Sequence, residues 1–166
     1  MVKGNWPLLV GFILALSPIT EIFSNPLFEY YLRYSLLGYG LIVIALLTVP
    51  KKAGDWTTLC LLSLSIAFEL MNWFFMETLF LNAFYFTFFW FNFCFDKQKI
   101  IRVFSNIALF ILGILAAEKL FALLQETYYY LTIFSEYSPA LLNVFAIILL
   151  LLKRSQKEPY EVTSSS

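Results

Sequence analysis

The chain has 166 residues, of which 61% are hydrophobic and 20% aromatic while only 13% are charged, and its mean hydropathy is +0.79. A soluble domain is near half apolar and a quarter charged, so too little polar surface remains here to cover a water-facing globule, and a disordered chain is excluded with it. The 11 Lys and Arg balance 11 Asp and Glu, which leaves no net basic field to gather phosphates and argues against a nucleic-acid partner.

A helix needs about 20 apolar residues to cross a hydrocarbon core of roughly 30 Å, and the sequence breaks into runs of that order. The first run, 6–23, follows Lys3 and stops at Ser24-Asn25-Pro26. A cleaved signal peptide would look similar at its start, but no small-x-small cleavage site follows, and Pro18 and Glu21 stand where cleavage would be expected. The segment is therefore read as retained. The second run, 26–49, opens with Asn25 in a cap position and Pro26 at the first helical position, where a missing N–H is harmless, and it ends before Pro50. Lys51, Lys52, Gly54 and Asp55 make a polar loop.

The apolar stretch 56–95 would be about 60 Å long as one helix, twice the core thickness, so it must cross twice. Its turn is expected around Met76-Glu77-Thr78, where a charge interrupts the run, giving spans of 56–75 and 78–95. Asp96, Lys97, Gln98 and Lys99 form the next loop, and 100–124 is the fifth span. The segment 125–137, with Tyr128, Tyr129 and Tyr130, has the aromatic and mildly acidic character of an interface region. A sixth span, 138–152, opens at Ser138-Pro139 and is short enough that it could begin earlier and kink at the proline. The polar residues 155–166 read as a flexible cytoplasmic tail.

Six spans with a cytoplasmic N-terminus put Lys3, Lys51, Lys52, Lys97, Lys99, Arg102, Lys153, Arg154 and Lys157 on one side and leave only Arg33 and Lys119 in the outer half. That asymmetry obeys the positive-inside rule. The expected fold is thus all-α, a polytopic transmembrane bundle of about six helices with both termini cytoplasmic, as a multi-pass protein of the cell (inner) membrane. The lipid bilayer is its first partner.

Histidine is absent, which removes imidazole haem ligation, histidine-rich zinc sites and histidine general bases together. Two cysteines, Cys60 and Cys94, cannot alone hold an iron–sulfur cluster or a structural zinc, and no metal site is expected. No Walker loop, GxGxxG, HExxH or GxSxG motif occurs. No catalytic residue and no resident cofactor are predicted, although the ring-rich run 84–95 has the flat contact area to hold a lipid tail, a pigment or a quinone as well as to pack a core.

Ionisable groups at membrane depth are costly and are candidate functional residues by default. Glu69, Asn72 and Met76 fall at helical spacing on one face of the third span, with Glu69 about 20 Å along it. Glu118 lies about 9 Å from the outer end of the fifth span, beside Lys119, whose long stem can snorkel to the interface. Glu118 then needs a partner from another helix, and a protonated Glu69 or Asn72 could supply it. Glu69, Asn72, Glu118 and Lys119 form the candidate ligand-binding set, and the bland reading is ordinary polar glue between helices. Glu29 and Arg33, four residues apart, read as a structural ion pair. Gly38, Gly40 and Gly113 read as points of close helix contact, without GxxxG spacing.

The residues Phe23-Ser24-Asn25-Pro26, Leu37-Gly38-Tyr39 and Ile44 to Leu47, up to Pro50-Lys51, resemble the opening of small DoxX-like membrane proteins. The likeness covers less than a third of the chain, and that family has four spans, so no residue role follows from it. Two functions compete on the sequence. One is a non-catalytic accessory or assembly subunit of a larger membrane complex, in contact with other membrane subunits. The other is a small transporter or solute-binding protein that uses outer-half carboxylates. An intramembrane lipid-modifying enzyme is a third and weaker reading.

Overall fold

The structure is a computed structural model and describes residues 6–16, 34–48, 53–71, 73–123 and 129–155. Among these residues there are six α-helices and no strand: α1 Trp6–Leu14, α2 Tyr34–Thr48, α3 Ala53–Leu70, α4 Phe74–Phe89, α5 Lys99–Leu123 and α6 Tyr129–Ser155. A π-helical turn, Trp90–Cys94, continues α4. The all-α class is therefore observed. The segments 1–5 and 156–166 lie outside the described residues, as do Glu29, Arg33 and Asn72.

Three element boundaries differ from expectation, the first being the start of α3, which takes in Gly54 and Asp55 of the expected loop, with the Asp55 carboxylate in its first turn. The turn between α3 and α4 falls at Met71 to Trp73, not at Met76-Glu77-Thr78: Trp73 N–H reaches back to Phe68 O at 2.9 Å, and the Phe68 ring stacks on both Trp73 (5.8 Å) and Phe80 (5.2 Å). Glu77 does not break the helix because it sits in the first turn of α4, where a carboxylate complements the positive end of the helix dipole. The sixth helix starts at Tyr129 and carries Pro139 inside it, so 129–137 is helical rather than a separate interface segment.

Among the described residues two helices are long and apolar enough to cross a membrane: 99–118, of mean hydropathy 2.2, and 138–155, of mean hydropathy 1.5. Only 28% and 39% of those segments are buried inside the chain, whereas the core helix of a soluble protein is mostly covered. The 36–48 part of α2 is apolar but shorter.

Each helix packs on its neighbour in sequence, and α6 closes the ring by packing on α1 as well as α5. The α1–α2 contact is the closest. A Cβ on Gly38 would lie 2.4 Å from the Ala15 nitrogen and 2.6 Å from the Gly11 carbonyl oxygen, so the two backbones nearly touch. Gly11 and Ala15 are one turn apart on α1 and its end, a small-xxx-small pair that supplies this face. Gly38 is thus a contact glycine, as expected, while Gly40 and Gly113 are not: nothing lies within 4 Å of a Cβ at either.

The centre is filled by rings. Phe12 of α1 lies 5.0 Å from Phe88 and 6.4 Å from Phe84, and Phe89 and Phe93 continue the stack toward the π turn. These side chains are fully buried, while Phe86, Trp90, Phe91 and Phe95 of the same run point outward. The run 84–95 therefore has two faces, and its inner one is occupied by packing within the chain.

Candidate functional site

Of the expected quartet, Glu69 and Glu118 are the two whose side chains the structure describes. Glu69, on the last turn of α3, is 7% exposed, and it acts electrostatically with Glu77 on the hydroxyl of Tyr39 in α2. Glu118, on α5, is 8% exposed, and its Oε2 has no hydrogen-bond partner. The side chain of Lys119 lies outside the described residues, as does all of Asn72. α3 packs on α2 and α4, and α5 packs on α4 and α6. Oε2 of Glu118 meets no hydrogen-bond donor among the described residues, while Glu69 is engaged.

The sequence reading missed a buried polar chain that joins four helices. Tyr85 of α4 lies 2.6 Å from Asn143 Oδ1 of α6, Tyr39 of α2 lies 3.2 Å from the Tyr85 hydroxyl, and Asn143 Nδ2 donates to the Ala15 carbonyl at 3.0 Å. The direction of every bond follows from the inventory of donors. The Asn143 amide oxygen can only accept, so Tyr85 donates to it, and with the single Tyr85 proton used there, Tyr39 donates to Tyr85. Pro139 O is a longer second acceptor for Tyr85, at 3.4 Å.

The Ala15 carbonyl lies just past the last residue of α1, where Ala15 N–H bonds Gly11 O at 2.9 Å, and the last carbonyls of a helix call for partners from outside it. Asn143 fills that need. The chain of bonds begins at a phenol and stops at a backbone carbonyl, which accepts a proton's hydrogen bond but passes no proton on. Its chemistry is that of a tie. A lone amide in the apolar run 138–152 was the available signal for Asn143; nothing in the Phe-rich run singled out Tyr85.

A second polar centre sits where α4, α5 and α6 end or begin. The π turn widens the helix and frees carbonyls that an α-helix would use. Ser105 of α5 donates to Phe89 O at 3.2 Å, and Lys153 of α6 donates to Asn92 O at 2.8 Å. Lys153 Nζ also lies 3.4 Å from Asp96 Oδ2 and 5.1 Å from the centre of the Phe93 ring. Next to it, the Arg154 guanidinium lies over the Trp6 ring at 4.0 Å, joining the start of α1 to the end of α6. The cation at the negative end of the π turn is placed where the helix dipole favours it.

Among the described residues no three His, Cys, Asp or Glu side chains converge as metal ligands. Cys60 and Cys94 are free thiols; Cys60 is exposed, and Cys94 Sγ lies 3.7 Å from Asn106 Oδ1. Comparison with known proteins finds no match: no family model, curated protein or solved structure matches this chain, so the short likeness within 23–51 extends to none.

Proposed function

We propose that the chain is a six-span protein of the cell (inner) membrane, with both termini cytoplasmic, that serves as a non-catalytic accessory or assembly subunit of a larger membrane complex. The observation that carries the membrane part is that all six helices turn large apolar side chains outward: Trp6, Ile44, Leu64, Phe86, Phe110 (70% exposed) and Leu151 are one from each. Water does not tolerate such a surface on a lone soluble chain, and lipid or a partner helix covers it. The interior supports a scaffold. Its middle is filled by stacked rings, and the polar side chains buried among them bond to one another along the Tyr39–Tyr85–Asn143–Ala15 chain.

One observation favours the second reading, a membrane-embedded site for a cation, proton or amine-bearing solute: the open Oε2 of buried Glu118. The two readings separate on the native mass of the particle extracted gently from its own membrane. Stoichiometric partner chains in that particle support the subunit reading. A lone monomer or homo-oligomer carrying a small ligand that is lost with Glu118→Gln sinks it in favour of binding. Topology is tested alone: a reporter fused to the C-terminus and active only outside should stay silent.

A further inference from the structure

We infer that the end of the bundle formed by Trp6, Lys97, Lys99, Arg102 and Arg154 is a binding site for the phosphate headgroups of anionic membrane lipids. The inference rests on the membrane reading above. Side-chain contacts bring the helix ends concerned together: Lys153 joins the end of α6 to the π turn and to Asp96, Arg154 joins it to the start of α1, and the Phe91 ring lies against Gly54 at the start of α3. Lys97 follows Asp96 directly, and Lys99 and Arg102 are in the first turn of α5.

The charges at this end do not cancel. Asp96 is already engaged by Lys153 and by the Gln98 N–H at 3.1 Å, and Asp55 is engaged as well. Lys97, Lys99, Arg102 and Arg154 are exposed, and among the described residues none of them makes an ion pair. Among the described residues these four cations thus have no counter-charge, while the buried carboxylates Glu69 and Glu118 stand toward the far ends of α3 and α5. Stacking on Trp6 holds the Arg154 guanidinium in place, and a guanidinium fork suits phosphate oxygens in two-pronged fashion.

What selects a lipid over free phosphate is the apolar surface beside the cations. Trp6, Trp56, Trp90 and Phe95 are all exposed at this end, and amphipathic rings of this kind settle at headgroup depth. An amphiphile with an anionic head and acyl chains satisfies both surfaces at once. The positive-inside orientation turns this end to the cytoplasmic leaflet, where anionic lipids attract basic residues next to a span.

The test compares nanodiscs of phosphatidylcholine alone with nanodiscs containing phosphatidylglycerol, counting the lipids that remain bound to the full chain by native mass spectrometry. Phosphatidylglycerol should be retained preferentially. R102Q/R154Q should weaken that retention about 25-fold, at about fivefold per cation, with helical content unchanged. If that variant does not fold, K97Q/K99Q carries the same expectation. Trp6→Ala should lose much of the Arg154 share and Trp6→Phe should keep it. Equal retention of both lipids, an undiminished preference in the folded variant, or displacement of the lipid by inorganic phosphate at equal concentration would overturn the inference. Resistance of the chain to alkaline extraction from its own membranes separates the two claims: release by alkali overturns the membrane reading and this inference together, whereas retention without lipid preference overturns this inference alone.

Discussion

The tie at the middle of the bundle and the carboxylate on α5 are both buried polar features, and they are resolved in opposite ways. At Asn143 the amide nitrogen and the amide oxygen each meet a partner from another part of the bundle, and four helices are joined through three side chains. At Glu118 a more costly group is buried to a similar degree and one of its oxygens meets nothing. An unpaired buried polar group costs about 1–3 kcal/mol and a charged one more, so a fold that satisfies the first and leaves the second open is using them differently. The difference assigns stability to the tie and leaves the carboxylate as the candidate for a ligand.

The largest expected effect tests the platform on which the tie stands. Gly38→Val places carbon against the backbone of α1, where no side chain can move aside, and should lower stability by about 3 kcal/mol or more. It pushes the Ala15 carbonyl from Asn143, so unfolding in mixed micelles with rising sodium dodecyl sulfate should show an early, single loss of stability. Wild-type stability in this variant would mean that the close α1–α2 approach is not maintained.

Asn143→Leu comes next. It strands the Tyr85 hydroxyl and the Ala15 carbonyl and should cost about 1–3 kcal/mol in the same assay. Combined with Tyr85→Phe in a double-mutant cycle, the coupling should be about 0.6–1.7 kcal/mol, the span measured for hydrogen bonds between membrane helices. Zero coupling would dissolve the tie as an energetic unit.

Glu118→Gln sharpens the other side of the comparison. Because the carboxylate has an open oxygen, the neutral amide should leave stability unchanged or raise it by about 1 kcal/mol. A loss as large as that of Asn143→Leu would show that Glu118 is engaged after all, and the contrast between the two regions would fail. The smallest effect is at Gly113, where a Cβ meets nothing: Gly113→Ala should gain about 0.5–1 kcal/mol through helix propensity alone, against the large loss at Gly38.

These glycines show where the sequence was legible. Each sits in an apolar helical run, so sequence alone cannot say which faces a neighbour; only the crossing of α1 and α2 separates Gly38 from Gly40, two residues further round the helix. The α3–α4 turn was misplaced for a related reason. Glu77 looked like an interruption, but a carboxylate in the first turn of a helix is favourable, and the aromatic clasp of Phe68 on Trp73 and Phe80 depends on side chains meeting across the turn. For the candidate site, Glu69 and Glu118 were correctly marked as buried carboxylates, because any charge in such a run draws notice. Tyr85 and Asn143 were passed over, because a phenol among phenylalanines and one amide among leucines are costly or harmless according to what faces them.

By itself the sequence determined the helical class, the six apolar runs that each contain a helix, and the crowding of cations at alternate breaks between them, since these follow from composition and from a periodicity read along one chain. The tertiary structure decided which polar groups meet: Asn143 with Ala15 across 128 positions of sequence, Tyr39 with Tyr85, Lys153 with the π turn, and nothing with Oε2 of Glu118. Hydrogen bonds are short and directional, whereas hydrophobic burial is neither, so a pattern along the chain fixes what is buried and only the packed helices fix what is satisfied.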